Sequence, residues 1–210
     1  MKIRNLLIIA GLILLLLAGA TALFLLCIVP NRDFGFCREV SLTEQELRVR
    51  LVTQAQTHLG TVEDDENHHR IIDLYNVHEP LAQNYAVTYE DSWCAAFAST
   101  VAIECGMTDI IPTECSCQRQ IELFKNLDRW EESDRYMPLP GDYIYYAWDD
   151  RIFGDCTGWA DHVGIVVGTW GPFIKVIEGN FDDQVGYHYI LRDDPTIRGY
   201  AVPDYPAKCE

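Results

Sequence analysis

The residue period of this chain changes once, at Pro138-Leu139-Pro140-Gly141, and that change constrains the fold more than any other feature. Upstream, apolar residues recur at helical intervals. Leu47, Leu51, Ala55 and Leu59 follow the capping-box spacing Ser41-Leu42-Thr43-Glu44 and run to Gly60, which predicts a helix over about 43–59. A polar, acidic turn from Thr61 to Asn67 precedes a short helix holding Ile71, Ile72 and Leu74. Pro80 opens a loop that leads to a helix carrying Cys94, with Trp93, Phe97 and Val101 on packed faces, Asp91 or Ser92 as its cap and Gly106 as its stop. Ile121, Leu123, Phe124 and Leu127 mark one more amphipathic stretch before Trp130. Downstream of the change, Tyr143 to Trp148, His162 to Val167, Phe173 to Glu178 and Tyr187 to Leu191 are short β-rich runs separated by Gly, Pro and Asp. Helices followed by strands predict an α+β domain in which N-terminal helices pack on a central antiparallel sheet.

The first residues do not belong to that domain. Leu6 to Val29 is a stretch of 24 residues without charge, long enough to cross a bilayer core of roughly 30 Å as a helix. Lys2 and Arg4 precede it and no acidic residue occurs before Asp33, so the positive-inside rule places the domain outside the cytoplasm. A cleavable signal peptide is the alternative, since Ala18-Gly19-Ala20 and Ala20-Thr21-Ala22 offer small-x-small sites. Cleavage there would leave the apolar run from Leu23 to Val29 as a new N-terminus, which favours the uncleaved anchor. The expected organisation is an anchor over 1–29, a juxtamembrane linker over 30–42 and one catalytic domain over 43–210.

Cysteine parity agrees with export. Of eight cysteines, setting aside Cys27 in the apolar segment and Cys94 leaves Cys37, Cys105, Cys115, Cys117, Cys156 and Cys209. Six allow three disulfides in fifteen pairings, and an oxidising compartment favours disulfides over structural zinc. Paired C-x-x-C spacing is missing, and the adjacent His68-His69 lacks a ligand at i+4, so zinc is the weaker reading. Thirty-two acidic against sixteen basic residues give a formal charge of −16. Such a field repels nucleic acid, and no basic stripe with interleaved aromatics reverses it.

Three separated segments carry reactive side chains. Cys94 stands in Asp91-Ser92-Trp93-Cys94-Ala95-Ala96-Phe97, in the first turn of a predicted helix. There the macrodipole and unpaired N–H groups favour thiolate over thiol and can face an oxyanion. His162 opens a strand-like run in which Gly164 admits a close neighbour. It fits a general base that becomes a general acid toward a leaving amine. Glu178 and Asn180, around Gly179 at the end of another run, fit groups that orient the imidazole. Taken singly, each has a bland reading as a buried cysteine, a strand-end histidine or a solvated glutamate. Together they have the composition needed for acyl transfer through a covalent thioester.

The blocks Trp93-Cys94-Ala95-Ala96-Phe97, Leu139-Pro140-Gly141-Asp142, His162-Val163-Gly164-Ile165-Val166, Ile177-Glu178-Gly179-Asn180 and Ile197-Arg198-Gly199-Tyr200, followed by Pro203 and Tyr205, resemble the CHAP family of cysteine, histidine-dependent amidohydrolases/peptidases. The resemblance spans about residues 45–205, in the family's order and approximate spacing. It implies a papain-like fold and a peptidoglycan hydrolase, either an N-acetylmuramoyl-L-alanine amidase or a peptide endopeptidase. Cys94 would be its nucleophile, His162 its base, Glu178 its orienting carboxylate and Asn180 an auxiliary polar group. Some phage relatives hold calcium through an acidic cluster before the cysteine. Tyr85 to Asp91 lacks that pattern, so no metal or cofactor is carried over. Wall targeting is expected from the membrane anchor alone. Two other classes share these residues: an exported cysteine protease or acyltransferase, and a silent binding module with Cys94 locked in a disulfide.

Overall fold

The computed structural model describes residues 41–148 and 158–209. The proposed anchor, nearly all of the linker, and Cys27, Cys37 and Cys156 lie outside the described residues, and no helix among those described is long and apolar enough to cross a membrane.

Among the described residues four α-helices come first. α1 (Leu42–Thr57) is capped by Ser41, whose hydroxyl accepts the Glu44 N–H at 3.1 Å. α2 (Glu66–Asn76) starts from an Asp65 cap that accepts the His68 N–H at 2.7 Å. α3 (Cys94–Glu104) and α4 (Cys117–Asn126) follow, the latter amphipathic with Ile121 and Phe124 buried. Leu123 and Leu127 of the predicted stretch are instead exposed. α3 is buried from Cys94 through Ala102, and Ala95, Ala96 and Ala98 let it sit close to its neighbours. The expected cap is corrected. Trp93 holds that position without a side-chain cap bond, because the Asp91 carboxylate is taken up by the Thr88 N–H, the Thr88 hydroxyl and the Tyr85 hydroxyl.

The strands are β1 (Trp130–Glu131), β2 (Tyr143–Tyr146), β3 (His162–Trp170), β4 (Phe173–Phe181), β5 (Gln184–Leu191) and β6 (Ile197–Ala201). A short C-terminal helix, α5 (Tyr205–Lys208), closes the domain. The strands form one antiparallel sheet in the order β1-β6-β2-β3-β4-β5. This is the α+β architecture expected, enlarged by β1 and β6, which the alternation pattern alone had not marked as strands. One face of the sheet, with Tyr143, Tyr145, Val163, Ile165 and Ile177, joins α1 to α4 in the main core. The other buries a smaller cluster of Ile144, Tyr146, Val166, Ile174, Val176, Ile190 and Tyr200.

The period change at 138–141 is where helices and sheet are stapled. Arg48 of α1 donates from Nη1 to the Pro140 carbonyl at 2.9 Å and to Asp142 Oδ1 at 2.8 Å, and from Nε to Glu44 at 2.8 Å. Its guanidinium lies 4.4 Å from the centre of the Tyr205 ring, whose hydroxyl donates to the Gly141 carbonyl at 2.7 Å. Gly141 has φ +85°, and a Cβ there would lie 2.7 Å from the Tyr205 hydroxyl, so both conformation and space require glycine.

Candidate active site

Cys94 is the first residue of α3, and its thiol is almost wholly buried. His162 is the first residue of β3, so its ring stands at the end of the sheet, beside Cys94 and hydrogen-bonded through Nε2 to Glu178 Oε2 at 3.2 Å. Antiparallel register explains how Glu178 reaches it. Gly164 lies directly opposite Glu178, and a Cβ on Gly164 would lie 2.6 Å from Glu178 Cγ and 2.4 Å from Val176 Cγ1. The close neighbour anticipated at Gly164 is therefore the site's own carboxylate. Gly179 provides the matching approach on the helix side, where a Cβ would lie 2.6 Å from the Phe97 ring of α3. The two glycines thus hold thiol, imidazole and carboxylate in one row.

The pattern had not singled out the residues that complete the row. His188 of β5 places Nδ1 3.1 Å from Glu178 Oε1, and the Tyr146 hydroxyl of β2 donates to the same oxygen at 2.7 Å. His188 stacks on Phe181 with ring centres 4.8 Å apart, and Tyr146 stacks beside both His162 and Trp148. Cys117, the first residue of α4, brings its sulfur to 3.6 Å from that of Cys94. Only an aromatic or β-branched strand pattern marked Tyr146 and His188, and parity alone marked Cys117, so nothing in the sequence joined them to Cys94.

Asn180 makes no side-chain hydrogen bond to this row among the described residues. It takes a left-handed backbone, φ 54°, where the β4–β5 register shifts between Glu178 and Phe181. Among the described residues no hydrogen bond joins it to His162, whose partners are Cys94 and Glu178.

Electrostatics separates the row into a thiolate, an imidazolium and a carboxylate. The Cys117 hydrogen bond, working against burial and aided by His162 and the Val163 N–H, holds the Cys94 thiol well below its ordinary range. The same contact, with burial, pushes the Cys117 thiol up. Burial by itself would lower His162, but its hydrogen bonds and charge contacts with Cys94 and Glu178 prevail and raise it to about 10. Burial likewise opposes ionisation of Glu178, yet the bonds from His162 and His188 bring it down to about 2. With Nε2 committed to Glu178, Nδ1 is the nitrogen left to face the sulfur.

The expected disulfides are corrected for the described cysteines. Cys94, Cys105, Cys115, Cys117 and Cys209 are all free thiols. Cys115 turns to Glu114 and Cys209 to the Tyr205 carbonyl, so proximity to oxygen acceptors rather than to sulfur fixes their orientation. Asp64, His68 and His69 bring ligand atoms within 4.8 Å of one another. Asp64, at i−4, supplies the third ligand for which the sequence offered no candidate at i+4. However, His68 Nδ1 already accepts the Asp64 backbone N–H at 3.0 Å, which leaves a poor metal cup. Compared with known protein families, curated proteins and solved structures, the chain matches none.

Proposed function

We propose that this protein is a thiol-dependent amidohydrolase of the CHAP type, with a papain-like fold and peptidoglycan as its substrate. The observation that carries the reading is the row Cys94–His162–Glu178, in which a buried carboxylate holds the imidazole that holds the thiolate. In the proposed cycle the Cys94 thiolate attacks the scissile carbonyl carbon. The oxyanion faces the N–H groups of the first turn of α3, a turn without a side-chain cap. His162 gives its proton to the departing amine, leaving a thioester on Cys94. Water then attacks the thioester as His162 takes one of its protons, and the carboxylic acid and the Cys94 thiolate are released. Glu178 keeps the ring in the tautomer and orientation this needs, while Tyr146 and His188 fix the Glu178 carboxylate. Asn180, two residues after Glu178, is assigned no bond-making step in this cycle.

The substrate class rests on the five resemblance blocks and the cellular side on the apolar segment from Leu6 to Val29. Together they describe a wall hydrolase tethered to the outer face of a membrane. The test is digestion of isolated peptidoglycan by the full-length protein and its Cys94→Ala variant, with mass spectrometry of the products. Fragments released by the wild type alone are expected, and their new termini separate an amidase from an endopeptidase. Release of the same fragments by both proteins would overturn the thiol mechanism. Cleavage of exported proteins but of no wall preparation would move the substrate to the protease or acyltransferase class.

A further inference from the structure

Cys117 has no place in the cycle above, yet its sulfur lies 3.6 Å from that of the proposed nucleophile. Cys105 faces the Arg50 carbonyl at 3.9 Å, Cys115 faces Glu114 at 3.6 Å and Cys209 faces the Tyr205 carbonyl at 3.1 Å. Among the described residues, Cys94 and Cys117 are the one pair whose sulfurs touch, at 3.6 Å. Each is the first residue of its helix, both are buried, and neither is bonded to the other. A disulfide needs a separation of about 2.05 Å, so the sulfurs must approach by about 1.5 Å. Rotations of two side chains in first helical turns can supply that without unwinding either helix. Sulfur has no packing reason to seek sulfur here, since α4 is already anchored by Ile121 and Phe124 and by the Gln120 contact with the Tyr145 hydroxyl at 2.8 Å.

We propose that Cys94 and Cys117 form a reversible redox pair: a hydroperoxide oxidises Cys94, Cys117 resolves the product into a disulfide, and a dithiol reopens it. That the disulfide silences hydrolysis rests on the nucleophile reading above, whereas its formation does not. The Cys94 thiolate attacks the distal peroxide oxygen, forming an S–O bond and breaking the O–O bond. This gives the sulfenic acid and, after protonation by His162, one molecule of alcohol or water. The Cys117 sulfur then attacks the Cys94 sulfur, the S–O bond breaks, and the Cys117 proton leaves with the hydroxide as water. Two thiols have been oxidised by two electrons and one peroxide reduced. Burial of both sulfurs favours a small oxidant over a bulky disulfide. Reduction by a dithiol returns both thiols and a cyclic disulfide, so the nucleophile is protected from the irreversible sulfinic state rather than lost.

The experiment uses the full-length protein, reduced and then freed of reductant, treated with hydrogen peroxide, blocked with an alkylating agent and mapped by mass spectrometry. A cross-linked peptide pair containing Cys94 and Cys117, lighter by two hydrogens and abolished by dithiothreitol, is expected to form before other linkages. In Cys117→Ser, Cys94 is expected to advance to sulfinic acid, which dithiothreitol does not recover, whereas the wild type regains the Cys94 thiol. Equal loss of Cys94 to sulfinic acid in both proteins, with no cross-linked pair in the wild type, would overturn the proposal. If Cys117→Ser does not fold, the wild-type map alone decides by presence or absence of the pair. The map requires no substrate. A chain that forms the pair but digests nothing sinks only the hydrolase reading, and one that digests but never forms the pair sinks only this one.

Discussion

Asp142, just before β2, and Glu178, within β4, are both fully buried carboxylates, and their surroundings set them apart. Asp142 meets a permanent cation. Burial pushes its carboxyl up while Arg48, the Leu139 N–H and the Tyr136 hydroxyl pull it back. The result ties α1 to the turn before β2. Glu178 meets two imidazoles and a phenol, groups that can gain or lose a proton, and one of those imidazoles touches a thiolate. Burial of a carboxylate therefore does not mark a site by itself. A titratable partner connected onward to a thiol makes it a candidate.

The largest effect that should separate the two is on rate. Glu178→Gln keeps shape but removes the charge that holds His162, and a fall in turnover of about 10²- to 10⁴-fold is expected with the fold intact by circular dichroism. A turnover within a factor of two of wild type would place Glu178 with Asp142 as a structural group. Asp142→Asn should do the reverse. It leaves the buried Arg48 without its full counter-charge, at a cost of about 3–5 kcal/mol in urea unfolding, while turnover per folded molecule is retained.

The pH profile sharpens the contrast. The thiolate–imidazolium pair is intact above the lowered pKa of Cys94 and below that of His162, so activity should hold through neutrality and fall on the alkaline side around pH 10. Glu178→Gln removes a charge that raises His162 and should move that alkaline limb down by about a unit or more, whereas Asp142→Asn should leave it in place. Replacing the second imidazole, His188→Phe, removes one of the two contacts on Glu178 Oε1 and leaves that from Tyr146. A turnover loss of about tenfold is expected, corresponding to one hydrogen bond to a charged group. The smallest effect belongs to a position remote from both carboxylates. Ser41→Ala removes the α1 cap and should lower stability by about 1 kcal/mol in thermal unfolding, with turnover unchanged.

Local physics made much of this legible in the amino-acid order. The Ser41 cap, the alanine-rich α3, the glycine turn at 141 and the alternating strands depend on residues within a few positions of one another, and each appears where its pattern places it. The cap of α3 was misread because an acidic side chain before a helix has two local uses, and Asp91 satisfies its own turn instead. β1 is only two residues long and β6 carries a charge and a glycine within its five, so neither shows the alternation that betrays a strand. Both exist because a neighbouring strand supplies their hydrogen bonds.

The candidate site divides along the same line. Cys94, His162 and Glu178 could be singled out in sequence as candidates because a helix start suits a proposed nucleophile and a strand end a proposed base, and these are local positions. Which carboxylate oxygen meets which imidazole is not local. The register that sets Gly164 against Glu178, the arrival of His188 from β5 and the 3.6 Å contact between Cys94 and Cys117 depend on strand pairing and helix packing between segments far apart in the chain. Residue order determined the chemistry available to this protein. Only the tertiary structure decided which side chains share it, because a contact between distant segments follows from how whole faces pack and not from any spacing along the chain.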